Sequence, residues 1–562
     1  MSGRSSGGGV EAGFDAEVAI VGAGPVGLTL AIDLAARGRS VVVLETRRRG
    51  EAPNVKCNHV AARTMEQFRR LGLAAAVRDA GLPPDYPNDV VFRTSVTGSE
   101  LSRIHIPARA TRYSDGSGPD GWWPTPEPPH RINQVYLEPI LFAHAEKRPG
   151  VTIVNRCEAT GFTQDGAGVA LEVRDLDDGA PRRVRARYLV GCDGGRSMVR
   201  RVIGAELAGT PVIQKVQSTF IRAPGLLGLV PGQRAWSCYA SNPRRSGVCF
   251  AIDGKETWLV HNHLQPHETE FDSVDRDRAL RDILGVDDRF EYEILSKEDW
   301  IGRRLVADRF RDRRAFICGD AAHLWVPYAG YGMNAGIADA MNLSWHLASH
   351  LAGWAAEGVL AAYEIERLPI TDQVSRFAMD HAQQMIKARG AVPPRIEEPG
   401  PEGDAIRAEA GRKAYDLNVQ QFCCAGLNFG YFYDRSPLIA YDDEAAPAYT
   451  MGDFTASTVP GCRAPHFLLG DGRSLYDALG GDYTLLRFDS RIDIAPLVAA
   501  ATARGVPLAL LDIDRPVAPK EYRHALVLVR ADLHVAWRGD TVSADAAALI
   551  ERLRGAGPRS LA

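Results

Sequence analysis

Long apolar runs are absent from this 562-residue chain. No stretch approaches the ~20 consecutive apolar residues of a bilayer-spanning helix, so no membrane span is expected. A dominant charge is absent as well. The 66 Lys and Arg against 70 Asp and Glu leave a formal net charge of −4, with no basic run. Neither nucleic acid nor an anionic membrane surface is therefore an expected partner. The nine cysteines, at 57, 157, 192, 238, 249, 318, 423, 424 and 462, form no C-x-x-C unit and no zinc-ligand spacing. That excludes a disulfide framework and a structural zinc site, and reads as free thiols in a reducing cytoplasm. The opening MSGRSSGGGVEAG lacks the apolar core of a signal peptide and reads as a disordered leader. No Ser-His-Asp set, metal-ligand cluster or internal repeat stands out.

What is present is a globular composition, 45% hydrophobic and 24% charged, long enough for three or four units at about 150 residues each. Residues 16–21 read as a buried strand. A glycine turn, an amphipathic stretch to Arg37 and a second apolar strand at 40–44 complete a βαβ unit. Met65, Phe68, Leu71 and Leu73 carry helical spacing, and 134–147 read as a helix. Residues 110–130 read as loop, and 151–154, 169–173 and 184–190 as strands. Residues 210–300 suggest an antiparallel sheet carrying Trp236, Tyr239, Phe250 and Trp258, a floor for an apolar ligand. A buried strand at 315–318 precedes a long helix at about 332–351. Residues 360–390 are helical, and the Pro-, Gly- and acid-rich 391–404 read as loop or linker. After about 455, strands at 484–488, 508–513 and 525–529 mark a separate βα-alternating segment.

Three motifs carry chemistry. Gly22-Ala23-Gly24-Pro25-Val26-Gly27 follows the first strand and opens a helix. Gly22 permits the tight turn, Gly24 lets backbone approach a pyrophosphate, and Gly27 lets helix and strand pack closely. The helix N-terminus offers free N–H groups to phosphates. Glu45, 23 residues beyond Gly22, is placed to accept ribose hydroxyls and disfavours a 2′-phosphate, which fits FAD or NAD rather than NADP. Gly191-Cys192-Asp193-Gly194-Gly195 follows another strand. Cys318-Gly319-Asp320-Ala321-Ala322-His323 brings Asp320 to the C-terminal end of a strand, where ligands bind in open α/β sheets. Pro327, Gly330, Gly332, Met333 and Asn334 follow, ahead of the long helix.

In this order and spacing, the three motifs resemble the group A flavoprotein aromatic hydroxylases, over roughly residues 15–390. The resemblance implies an α/β, overall α+β fold: a Rossmann-like FAD-binding domain (15–85, 125–200 and 300–390) interleaved with a substrate-binding sheet region (86–124 and 201–299). A leader at 1–14 and a helical or linker region at 391–454 flank these. The segment 455–562, with Pro460-Gly461-Cys462-Arg463, Ser474-Leu475-Tyr476-Asp477 and His534-Val535-Ala536-Trp537, is similar to the thioredoxin-like extension of phenol hydroxylase relatives; without C-x-x-C it cannot exchange dithiols. Gly22, Gly24, Pro25, Val26, Gly27, Glu45 and Thr46 would hold the ADP half of FAD. Asp193 and Gly194 would serve FAD and NAD(P)H, and Gly319 and Asp320 the ribityl chain. Pro327, Gly332, Met333 and Asn334 would lie against the flavin ring, with Gln134 and Arg131, in Arg131-Ile132-Asn133-Gln134, nearby. Tyr331 departs from the family's usual Gln.

The reaction implied is NAD(P)H- and O2-dependent hydroxylation, through a C4a-hydroperoxyflavin, of a phenolic or polycyclic aromatic small molecule. NADH and NADPH are not distinguished. A homodimer or larger homo-oligomer is the expected assembly. His59, before Arg63-Thr64-Met65-Glu66, is the expected base that takes or shares a phenol proton; Asp115 is a second candidate and Tyr239 a third. A Baeyer–Villiger-type oxygenase of the same fold and a flavin-binding protein that does not hydroxylate remain as alternatives.

Overall fold

The computed structural model describes residues 13–56, 58–542 and 545–557. Residues 1–12 of the expected leader, and Cys57, lie outside them. Among the described residues no helix is long and apolar enough to cross a membrane.

The first sheet is built on continuous apolar runs that need cover on both faces. Its five parallel strands run in the order Val151–Asn155, Val41–Glu45, Ala16–Val21, Pro181–Gly191, Ala315–Ile317. An antiparallel strand, Arg311–Asp312, closes one edge. The hairpin Cys157–Gln164/Val169–Asp175 pairs with the outer half of Pro181–Gly191. Helix Pro25–Ala36 packs against Gln134–Glu146 and Tyr331–Leu351. The C-terminal ends of Ala16–Val21, Pro181–Gly191 and Ala315–Ile317 lie side by side, so the three motif loops emerge at one edge.

The second sheet has eight strands, in the order His323–Trp325, Glu293–Ala307, Leu207–Arg222, Thr257–His263, Ser246–Ala251, Ser237–Ser241, Val90–Arg93, Glu100–Ile104. Period-2 alternation gives it two different faces. Cys238, Cys249 and Trp258 pack with Leu280, Ile283 and Leu284 of helix Arg276–Leu284. Tyr239, Phe250, His261 and Trp300 point the other way. Because His323–Trp325 pairs with Glu293–Ala307, the segment leading into helix Tyr331–Leu351 is tied to both sheets. The loop expected at 391–404 ends earlier: a helix spans Pro401–Phe422. Pro401 at its first turn with Glu402 and Asp404 is helix-start chemistry, which composition alone reads as linker.

The C-terminal segment forms a four-stranded sheet, Leu508–Asp512, Tyr483–Arg487, Leu526–Val529, Val535–Gly539. The first pair is parallel, joined through helix Ala495–Ala503, and the rest is antiparallel. Tyr483, Leu485, Leu497 and Ile550 share one apolar core with Trp345, Leu347 and Leu360. Buried charges fasten the same boundary. Arg530 is bidentate to Glu366, at 2.6 and 2.8 Å, and meets Asp532 at 2.9 Å. Arg463 pairs with buried Glu66, and Arg63 donates to the Asp532 carbonyl at 3.1 Å. Burial acts to raise the Glu366 and Asp532 pKa values, but Arg530 holds both below the ordinary carboxylate range. Their stabilising effect is therefore complete at neutral pH and fades as pH falls through those lowered values. Arg530→Met should cost about 3–5 kcal/mol, because two buried carboxylates lose their partner. Arg523→Met, in the exposed pair with Glu444, should change stability little. Urea midpoints of the two variants check this.

Candidate active site

The motif loops meet in backbone contact. Gly22 has φ +102°, and a Cβ there would sit 2.4 Å from the Cys192 carbonyl oxygen. A Cβ on Gly27 would be 2.1 Å from the Gly22 oxygen, and one on Gly319 would be 3.1 Å from Val26 Cγ2. Only glycine permits these crossings. Gly24 differs: its backbone is ordinary extended chain, and a Cβ there would meet nothing within 4 Å. Its open side faces the start of helix Pro25–Ala36, which no side chain caps. Gly194 faces open space in the same way. The third loop is held from behind: Asp339 accepts from His323 Nε2 at 2.8 Å, Arg367 Nε at 2.9 Å and Gly319 N at 3.3 Å.

Glu45 ends its strand buried, accepting from Ala23 N at 2.8 Å and Arg47 N at 2.9 Å. Thr46 Oγ1 lies 3.3 Å from the same carboxylate. Burial acts to raise the Glu45 pKa, yet Arg47 keeps it below the ordinary value. Arg47 also meets Glu138 at 2.6 Å, and Glu138 accepts from Gln134 Nε2 at 2.8 Å. Gln134 thus joins the acid end of the groove. Asp320 lies open along the groove with protein enclosing its remaining sides. That enclosure raises its pKa, against the opposing fields of His323 and Lys56. The open cradle at Gly24, the uncapped helix start and the acid at Glu45 fit a dinucleotide.

At the far end, Pro327 O accepts from Gly330 N at 3.2 Å, and helix Tyr331–Leu351 starts at Gly330 (φ +60°) without a side-chain cap. Asn334 ties this start to the chain around His59: its Oδ1 accepts from Ala61 N at 2.8 Å and its Nδ2 donates to His59 O at 3.2 Å. A Cβ on Gly330 would lie 3.0 Å from His59 Cβ. Beyond His59 lies the second sheet. Arg131 donates to His59 Nδ1, and its guanidinium stacks 4.7 Å from the Trp236 ring centroid. Trp236, Phe250, His261 and Trp300 follow one another at centroid spacings of 5.4, 5.5 and 5.8 Å. Tyr239 packs between Phe92 and Phe422. The face continues into a cavity of about 660 Å³ lined by Gln214, Ser246, His263, Ile386 and Arg389. Arg389 donates to Tyr328, two residues before Gly330, at 3.0 Å.

Residues 15–378 match the FAD binding domain family, and residues 457–556 match the aromatic-ring hydroxylase C-terminal family. The chain belongs to the flavoprotein aromatic hydroxylases. Phenol 2-monooxygenase of Pseudomonas sp. (strain EST1001) is 30% identical, over 94% of this chain and 91% of its own. RebC with bound 7-carboxy-K252c superposes with TM-score 0.87 at 33% identity, over 97% of this chain and 100% of that one. The complex of aklavinone-11 hydroxylase with FAD and aklavinone gives TM-score 0.77 at 28% identity, over 96% and 99%.

Contacts bring Gly22, Val26, Gly27, Glu45, Thr46, Gln134 and Gly319 together at the strand ends, with Gly24, Pro25, Gly194 and Asp320 on the same loops; Pro327, Gly332, Met333 and Asn334 lie where helix Tyr331–Leu351 begins, and Arg131 meets His59. Asp193 Oδ2 accepts from Met198 N at 2.7 Å and Val199 N at 3.2 Å, starting a short helix. Three expectations change. His59 is a poor base: burial and the Arg131 charge push its pKa well below the ordinary value. With Nδ1 accepting from Arg131, the ring proton sits on Nε2, so His59 offers a donor. Asp115 lies outside the pocket, bonded to Ser117 N at 2.9 Å and His105 Nε2 at 3.0 Å in a solvated loop. Trp258 packs on the opposite face from Tyr239, as strand alternation requires. Arg47, Glu138 and Asp339 escape sequence reasoning. The i,i+4 spacing of Gln134 and Glu138 is the one sequence signal that could have found a member of this set; Asp339, mid-helix, carries none. Gly24→Val should leave the fold intact and strip bound flavin, whereas Gly27→Val should destabilise the protein by about 1–3 kcal/mol or more. Flavin absorbance per chain and urea midpoints separate the two.

Proposed function

We propose that this flavoprotein monooxygenase hydroxylates a phenolic or polycyclic aromatic substrate, with NAD(P)H as reductant and O2 as oxidant. The observation that carries the reading is the junction at Gly330 and His59, where the dinucleotide groove runs into an aromatic-walled sheet face. Bound FAD supplies the redox chemistry that splits O2. The chain supplies placement. The uncapped start of helix Tyr331–Leu351 favours negative charge at the groove's end. Trp236, Phe250, His261 and Trp300, tilted or edge-on to one another, present an aromatic wall to a ring system. The cavity of about 660 Å³ lies within the range for small-molecule sites. Phenol and aklavinone, named for two relatives, span the size range this admits.

His59 Nε2–H would orient a substrate oxygen as a donor; the Tyr239 hydroxyl, kept protonated by burial and by nearby Tyr328, is hydrogen-bonded to Gln421. Oxidation of NAD(P)H by the flavin-loaded protein should rise on adding an accepted phenol, with one ¹⁸O from ¹⁸O₂ in a ring-hydroxylated product. No stimulation across simple phenols, naphthols and polyketide aromatics would overturn the proposal. His59→Ala should lower kcat/KM about two- to tenfold, the worth of one hydrogen bond, and raise hydrogen peroxide release. Because His59 stays neutral above its depressed pKa, the wild-type profile between about pH 6 and 8 should show no loss of coupling from its protonation.

A further inference from the structure

The turn at the far end of the groove has little in its own backbone to hold it. Gly330 takes φ +60°, and a Cβ on Gly332 would meet, among the described residues, only Trp325 Nε1, at 3.6 Å. Glycine loses more conformational freedom on folding than any other residue. A Gly-x-Gly turn therefore keeps one shape only where side chains fix it. Asn334 does so toward His59, and its Nδ2 also donates to Gly330 O at 2.6 Å.

Two tyrosines add to this. Tyr331 stands between the two glycines, where the third motif departs from the family's usual Gln, and is 4% exposed. Its hydroxyl donates to the Leu427 carbonyl at 2.9 Å, in helix Ala425–Phe429. Its ring shares an apolar cluster with Ala335, Leu427 and Tyr431. Burial keeps it protonated, so it remains a donor. Tyr328 belongs to a second apolar cluster, with Val326, Ala382 and Met385. Its oxygen accepts from Arg389 Nη1 at 3.0 Å and its hydroxyl donates to Gln214 Oε1 at 3.4 Å. Arg389 Nη2 donates to the same Gln214 oxygen at 2.9 Å. The turn is thus pinned to strand Leu207–Arg222, to the end of helix Gly358–Gly390 and to helix Ala425–Phe429.

We infer that Tyr328 and Tyr331 are positioning residues: acting through the turn between them, they hold the uncapped start of helix Tyr331–Leu351 where its N–H groups meet the charge that a flavin gains on reduction. This rests on the reading that brings the flavin ring to that turn. Dipoles fixed in advance stabilise a developing charge without reorganising when it appears. Dipoles on a glycine turn free to wander do so less. The two hydroxyls therefore raise the reduction potential of the bound cofactor.

The test measures the reduction potential of bound FAD by equilibration with a reference dye, alongside flavin content and urea midpoints. Tyr522→Phe is the control: Tyr522 is 2% exposed, and its hydroxyl donates to the Pro465 carbonyl at 2.6 Å within the core of the C-terminal segment. Tyr328→Phe, Tyr331→Phe and Tyr522→Phe each remove a buried tyrosine hydroxyl and should lose similar stability. Only Tyr328→Phe and Tyr331→Phe should shift the flavin. The ratio of reduced to oxidised cofactor at a fixed potential should fall about two- to tenfold, which for a two-electron couple is a drop of about 10–30 mV. Flavin content should stay unchanged. If either of these two variants keeps the wild-type potential, or Tyr522→Phe lowers it as much, the inference is overturned. Release of FAD by a folded Tyr331→Phe protein would make Tyr331 part of the cofactor's hold and overturn it too. Where one variant fails to fold, the other decides. The potential needs no aromatic substrate. Lowered potentials with no stimulation by any aromatic would therefore uphold this inference and sink the hydroxylase reading; unchanged potentials with phenol-stimulated turnover would do the reverse.

Discussion

Three stretches of backbone from distant parts of the chain pass so closely that no side chain fits between them. Gly22 lies under the Cys192 carbonyl, Gly27 under the Gly22 carbonyl, and Gly319 against Val26. This crossing depends on the parallel register of Ala16–Val21, Pro181–Gly191 and Ala315–Ile317, whose ends must stop level. Everything functional follows from it. The helix Pro25–Ala36 can start only where the crossing leaves room, and the segment from Cys318 to Gly330 is aimed at the second sheet by the same level edge. Glycine here is a steric requirement at Gly22 and Gly27 but a vacancy at Gly24. That difference separates glycines that hold the fold from those, such as Gly24 and Gly194, that leave space open.

The legibility of the sequence tracks the range of the physics involved. The βαβ unit is readable because its apolar periods and glycine turn are local. The three motifs are readable because each sits at a strand end with nearby punctuation. The helix Pro401–Phe422 reads as a linker at its start because Pro, Gly and acids signal a helix start and a linker alike; the helical run beyond Asp404 decides between them. The roles of His59, Asp115 and Trp258 are decided over longer range. Whether His59 is a base depends on Arg131, 72 positions away. Whether Trp258 lines the pocket depends on strand register, which its own neighbours in sequence do not state. Asp115 meets its partners within ten positions, and its charge is satisfied locally, which is why it does not reach the site.

Charge burial follows two rules in the one molecule. At the boundary with the C-terminal sheet, Arg530, Glu366 and Asp532 are dry and geometrically matched. Such a set fixes one docking arrangement, because any shift leaves carboxylates unpaired in the core. The apolar core shared by Tyr483 and Trp345 supplies the burial, and the ionic set supplies the uniqueness. Near the aromatic wall the acceptor is not a carboxylate: Arg131 is dry, and the His59 imidazole that accepts its hydrogen bond is neutral.

The helix starts before Pro25 and Tyr331 carry no side-chain cap, and a Cβ on Gly24 would meet nothing within 4 Å. Contacts join their surroundings, Val26 with Gly319 and Gly330 with His59. Local rules are expected to fail where a site is kept ready for something the chain does not itself contain. Both helix starts offer free N–H groups. These starts therefore suit negative charge, phosphates at Gly24 and charge that accumulates beside Gly330.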